Sequence, residues 1–212
     1  MQVTEIFHSI QGESTYAGLT CTFVRLTGCN LRCTWCDTGY AFYGGETMTV
    51  DQVLEKVRAF GGKLVEVTGG EPLLQKEVYP LMERLLAEGY RVLLETSGER
   101  PLDRVPREVV KIVDVKCPDS GESGTFHMPN LDLMAPHDQV KFVIASRRDY
   151  EFARGFTREH DLTRRFDAVL FSPVHGQADL QQMAAWILSD RLEVRLGYQL
   201  HKVIWGAEAR GV

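Results

Sequence analysis

The chain has 212 residues, 44% hydrophobic and 25% charged, which excludes a disordered or fibrous protein and is long enough to bury roughly 70% of its unfolded surface. A formal charge of −5 gives no cationic footprint for nucleic acid, and the basic stretches "SRRDYEFAR" and "LTRRF" are interleaved with acids, as on a solvated helix face. The opening "MQVTEIFHSI" lacks an apolar signal core, and no run approaches the ~20 apolar residues of a membrane span, so the expectation is a cytoplasmic protein with reduced thiols.

In chain order, the first buried strand is "CTFVRL" 21–26, followed at once by a loop, 28–45, that carries Cys29, Cys33 and Cys36. Thr49 with Gln52 forms a capping box; the helix it starts has Val50, Val53, Leu54 and Val57 on one stripe and stops at Gly61 and Gly62. Strand "KLVEVT" 63–68 leads into Gly69 and Gly70. A helix over about 77–88 tolerates Pro80 only in its first turn. Strands 91–96, 111–116, 139–144, 167–172 and 192–200 follow, with helices over about 148–160 and 178–189. The stretch 97–138 is rich in Pro, Gly, Asp and Ser and predicts no long helix, and loops of that length are usually functional. Alternating strands and helices predict an α/β fold in one domain, 1–212: an incomplete, TIM-like barrel of about six parallel strands with fewer helices than strands. An open doubly wound sheet is the alternative. Either fold puts sites at the carboxyl ends of the strands.

Three cysteines spaced C-x3-C-x2-C can converge on one soft-metal centre, either zinc or an iron–sulfur cluster. A closed zinc site needs a fourth ligand. Cys21 lies on a strand and Cys117 stands alone far downstream, and neither makes a second C-x-x-C pair. A cluster held by three thiolates leaves one iron open.

The cysteine loop, with Trp35 before the last thiol, is the signature of the radical S-adenosylmethionine enzymes. Over nearly the whole chain the sequence resembles the 7-carboxy-7-deazaguanine synthase family. The likeness rests on "SIQGES" 9–14, "FVRLTGCNLRCTWCDT" 23–38, "VTGGEP" 67–72, "ETSG" 95–98, "VKCPDSG" 115–121, "SPV" 172–174 and "QLHK" 199–202. The resemblance implies a [4Fe-4S] cluster on Cys29, Cys33 and Cys36, S-adenosylmethionine on its open iron, and Mg²⁺ at Thr38. It implies cofactor contacts from Trp35, Cys36, Asp37, Gly70, Asp114, Val115, Lys116, Ser172, Pro173, Val174 and His175, with Glu95 to Ser97 near the ribose. The implied substrate, 6-carboxy-5,6,7,8-tetrahydropterin, would meet Ile10, Gln11, Gly12, Glu13, Arg25, Thr68, His201 and the carboxylate of Val212.

The implied reaction is a radical ring contraction to 7-carboxy-7-deazaguanine with loss of ammonia, fed by a flavodoxin-like or ferredoxin-like electron donor, in a homodimer. Two other readings share the cysteine loop: a glycyl-radical-enzyme activase acting on a protein, and a zinc- or cluster-binding module without catalysis. The activase reading gives no reason for "IQGE", for Thr38 or for "QLHK".

Overall fold

The computed structural model describes residues 1–212. One nine-stranded sheet runs through it: β1 (Gln2–Ile10), β2 (Thr20–Leu26), β3 (Glu46–Thr47), β4 (Leu64–Gly69), β5 (Arg91–Thr96), β6 (Val110–Asp114), β7 (Gln139–Ile144), β8 (Ala168–Pro173) and β9 (Arg195–Leu196). The order is β3-β1-β2-β4-β5-β6-β7-β8-β9, with two free edges. From β2 through β4 to β9 every neighbouring pair is parallel, and β1 is antiparallel to both β2 and β3.

The helices are α1 (Val50–Phe60), α2 (Val78–Ala87), α3 (Asn130–Leu133), α4 (Arg147–Glu159), α5 (Leu162–Arg165), α6 (Leu180–Asp190) and α7 (Leu200–Trp205). The predicted capping box is present at Thr49, and Gly61 ends α1 in the left-handed conformation at φ 75°. No helix connects β5 to β6, and between β6 and β7 lie only a 3₁₀ turn and the four-residue α3, matching the helix-poor stretch expected there. The expectation for 192–200 differs: only Arg195 and Leu196 pair, against β8, and α7 begins at Leu200. The amino-terminal segment, whose polar residues obscure a strand pattern, forms the longest strand.

Strand residues alternate between two faces. On the outer face Val24, Val65, Val67, Val92, Leu94, Val140, Phe142 and Phe171 join the helices in the main core of 37 buried residues. The inner face changes along its length. Near the amino ends of the strands it is apolar, where Cys21, Phe23, Leu64, Leu93, Ile112 and Leu170 belong to one packed cluster. Towards the carboxyl ends the same face carries Arg25, Glu66, Thr68, Glu95, Asp114, Lys141 and Ser172 around a cavity of about 630 Å³. The β1–β2 connection reaches across to the far strands, with Thr15 N–H donating to Gln139 Oε1 at 3.1 Å and Gln139 Nε2 to Thr15 Oγ1 at 2.7 Å.

Candidate active site

The cysteine loop starts where β2 ends. Gly28, at φ 100°, turns the chain, and its N–H donates to Ala41 O at 2.8 Å, which closes the loop on itself. Thr34 is pinned to Ser120 O by its N–H at 2.9 Å and its hydroxyl at 3.1 Å. The Arg32 guanidinium donates to Cys29 O at 2.7 Å and lies 4.3 Å from the centre of the Phe42 ring. Cys29, Cys33 and Cys36 are all free thiols that line the cavity. Burial pushes the Cys29 and Cys33 thiols up. Cys21 and Cys117 are buried among core side chains outside the cavity. The cavity therefore offers three thiols and no fourth, a donor set that fits a cluster with one open corner.

The turn after β4 packs directly against this loop. A Cβ at Gly70 would lie 2.2 Å from Gly28 O and 2.8 Å from Cys29 Cβ, and one at Gly69 would lie 2.3 Å from Leu26 O. Only backbone can approach there. Glu71, which follows, is buried and accepts from Thr96 Oγ1, Ser97 N–H and Ser97 Oγ, so it fastens the turn to the end of β5. Ser97 is thereby engaged with protein, as is Glu95, which accepts from Lys141.

Below the thiols lies a layer of charge. Glu13, from the β1–β2 connection, accepts from Lys141 Nζ at 3.1 Å and from Gln199 Nε2 at 2.8 Å. Lys141 also donates to Glu95 Oε2 at 2.7 Å. Burial works against the Lys141 ammonium, but Glu13 and Glu95 outweigh it and hold its pKa well above the ordinary value. Burial likewise opposes the Glu13 charge, while Lys141 and Gln199 bring its pKa below the usual range. Glu66 accepts from Gln11 Nε2 at 2.7 Å; burial, with Glu95 beside it, pushes its carboxyl up to about 8. Arg25 donates through Nε to Glu5 at 2.8 Å, and the Tyr40 hydroxyl donates to the same Glu5 oxygen. The terminal nitrogens of Arg25 have no protein acceptor.

The remaining walls come from β6, β8 and the carboxy-terminal segment. Lys116 donates to Asp114 Oδ2 at 2.7 Å, while Asp114 Oδ1 is buried without any hydrogen-bond partner. Burial acts against the Lys116 charge, and Asp114 and Cys33 more than compensate, raising its pKa. Pro173, Val174 and His175 continue from Ser172 along the rim. His201 packs on Gly12, where a Cβ would lie 2.2 Å from its Nδ1, and Leu200 N–H donates to Gly12 O. Burial lowers the His201 pKa, against the pull of Glu13. Asp37 accepts from Lys202 Nζ at 2.8 Å and Gln199 Nε2 at 3.1 Å, tying the cysteine loop to α7. Thr38 Oγ1 stands 3.6 Å from Cys36 Sγ.

The cavity gathers nearly every site residue named from the sequence, including Ile10, Trp35, Thr68 and Val212. The exception is Val115, whose side chain is part of the outer core. Sequence reasoning passed over Glu66, Lys141, Gln199 and Tyr40. The available signal was a charge inside an otherwise apolar strand, Glu66 in "KLVEVT" and Lys141 in "QVKFVI", since a central strand holds a charge only if it is paired.

A family model for the Radical SAM superfamily matches residues 23–184. The chain is 56% identical to a 7-carboxy-7-deazaguanine synthase of Koribacter versatilis, covering 100% of both chains. It is 45% identical to a protein of the same name from Chlorobaculum tepidum, over 100% of this chain and 97% of the relative. In structure it is similar to QueE from Escherichia coli, with a TM-score of 0.78, 22% identity and 94% of each chain covered. The chain belongs to the radical S-adenosylmethionine superfamily and, within it, to the 7-carboxy-7-deazaguanine synthase family.

Proposed function

We propose that the chain converts 6-carboxy-5,6,7,8-tetrahydropterin to 7-carboxy-7-deazaguanine and ammonia. The observation that carries this reading is one cavity that joins three thiols to Arg25, with its unpaired guanidinium nitrogens, and to the Glu13 carboxylate. Bound at Cys29, Cys33 and Cys36, a [4Fe-4S] cluster with S-adenosylmethionine supplies a 5′-deoxyadenosyl radical. The rest is the work of side chains. Arg25 takes the substrate carboxylate with its free fork. Glu13 takes the N–H edge of the ring, supported by Ile10, Gln11, Gly12, Thr68, His201 and Val212. The partnerless Asp114 Oδ1 would accept from the cofactor, which Trp35, Cys36, Asp37, Gly70, Val115 through its backbone, Lys116 and the segment Ser172–His175 would also hold. Thr38 offers the hard oxygen that Mg²⁺ prefers, alongside substrate oxygens.

The sheet acts as the wall of an incomplete barrel, and residues 1–212 work as a single domain. The cavity lies among the inner face of the sheet, the cysteine loop and α7, which together position the reacting C–H bond. A flavodoxin-like or ferredoxin-like donor, a homodimer and a cytoplasmic setting complete the reading; no helix is long and apolar enough to cross a membrane. Anaerobic reconstitution with iron, sulfide, reductant, Mg²⁺ and the pterin is the test. Formation of 7-carboxy-7-deazaguanine supports the assignment, whereas 5′-deoxyadenosine without that product refutes the substrate.

A further inference from the structure

Glu13 is gripped at both of its oxygens. Lys141 Nζ donates to Oε2 at 3.1 Å and Gln199 Nε2 to Oε1 at 2.8 Å. A carboxylate has about four acceptor positions, two on each oxygen. The two contacts use one on each, which leaves about one acceptor position on each oxygen for a ligand. That pattern fits a ligand that presents two parallel N–H donors.

Lys141 is not free to leave. The residue is buried at 5% exposure, and the other partner of its ammonium is Glu95 Oε2 at 2.7 Å. Glu66 shares the layer, so Lys141 is a cation that Glu13, Glu95 and Glu66 have in common. Gln199 has a second anchor in Asp37 Oδ2 at 3.1 Å. Each clamp is thus held by a second carboxylate, Glu95 for Lys141 and Asp37 for Gln199.

Resting on the substrate reading above, we propose that Lys141 and Gln199 are positioning residues that make Glu13 a two-acceptor reader of the amino-pyrimidinone edge. A pterin offers its 2-amino group and adjacent ring N–H there. The 2-oxo counterpart sets a carbonyl oxygen against a carboxylate oxygen, and a buried acceptor facing another acceptor is strongly disfavoured.

The test is equilibrium binding of 6-carboxytetrahydropterin and its 2-oxo analogue to cluster-loaded protein under anaerobic conditions. Wild type is expected to prefer the pterin by about 100-fold or more. Lys141→Met should weaken pterin binding about 10- to 100-fold and leave the analogue within about 3-fold, so that the preference collapses. Lys141→Arg should recover part of it. Gln199→Ala, a half-buried change outside the core, should show the same selective loss at about 3- to 10-fold, and it decides the matter if Lys141→Met does not fold. An unchanged preference in these variants overturns the clamp. So does a parallel loss of both ligands with a wild-type circular dichroism spectrum. Wild type that binds no pterin at all is a different result: it overturns the substrate reading, and the clamp with it.

Discussion

Glu71 and Ser97 are joined twice, the Ser97 N–H at 2.8 Å and its hydroxyl at 2.7 Å both donating to Glu71 Oε2. Thr96 Oγ1 adds a bond to the same carboxylate at 2.9 Å, and Leu73 N–H adds another at 3.0 Å. One buried side chain thereby fixes the turn after β4 to the end of β5. Glu71→Ala leaves several buried donors without an acceptor and is expected to cost about 2–4 kcal/mol, measured by denaturant unfolding. Glu71→Gln, which keeps one acceptor oxygen, should cost less.

The same turn sets how close the cysteine loop can come. Gly70→Ala forces its methyl group against Gly28 O and Cys29 Cβ, both of which belong to a loop already closed by Ala41. The expected result is a displaced Cys29, lower iron and sulfide content after reconstitution, and a loss of about 1–3 kcal/mol in stability. Iron and sulfide analysis next to a thermal melt checks both parts.

Glu66 ties stability to pH. Burial first, then Glu95, pushes its carboxyl up to about 8, against 4.5 when unexposed to these effects. Below 4.5 the group is protonated in both folded and unfolded chains. Between 4.5 and about 8 the unfolded chain has released the proton and the folded one holds it, so this contribution falls as pH rises and levels off above about 8. Glu66→Gln removes that loss. Its melting temperature should exceed wild type by about 3 °C or more at pH 8 and converge with it near pH 4.

Arg25→Lys retains the charge and can retain the contact with Glu5, but it gives up the two terminal nitrogens left without a protein acceptor. The pterin KM is expected to rise about 10-fold or more with a smaller change in kcat, while a substrate analogue lacking the carboxylate should not distinguish the two proteins. Steady-state kinetics on both compounds tests this.

How far the sequence carries depends on whether a signal is local. Strands β2 and β4 to β8 are legible because Val, Ile and Leu crowd into short runs, and α1 because its cap and its stripe lie within a dozen residues. The three thiols and Thr38 are legible for the same reason. The strand expected at 192–200 shrinks to two residues because its alternate positions, Glu193 and Arg195, are exposed and only β8 is available to pair with it. Lys141 escaped notice because its partner Glu13 is 128 residues away, and Glu66 because Gln11 is 55 residues away. Their chemistry exists only once the sheet has curved to bring the far strands towards the β1–β2 connection.

The bond between Glu13 and Gln199 spans 186 positions of the chain. During synthesis on the ribosome, the three thiols emerge early, with strand β2 beside them, whereas the pocket beneath them cannot close until nearly everything else has been made. A nascent chain therefore carries its metal-binding motif bare for most of its translation. The cavity that those sulfurs line is therefore among the last parts of the fold to be completed.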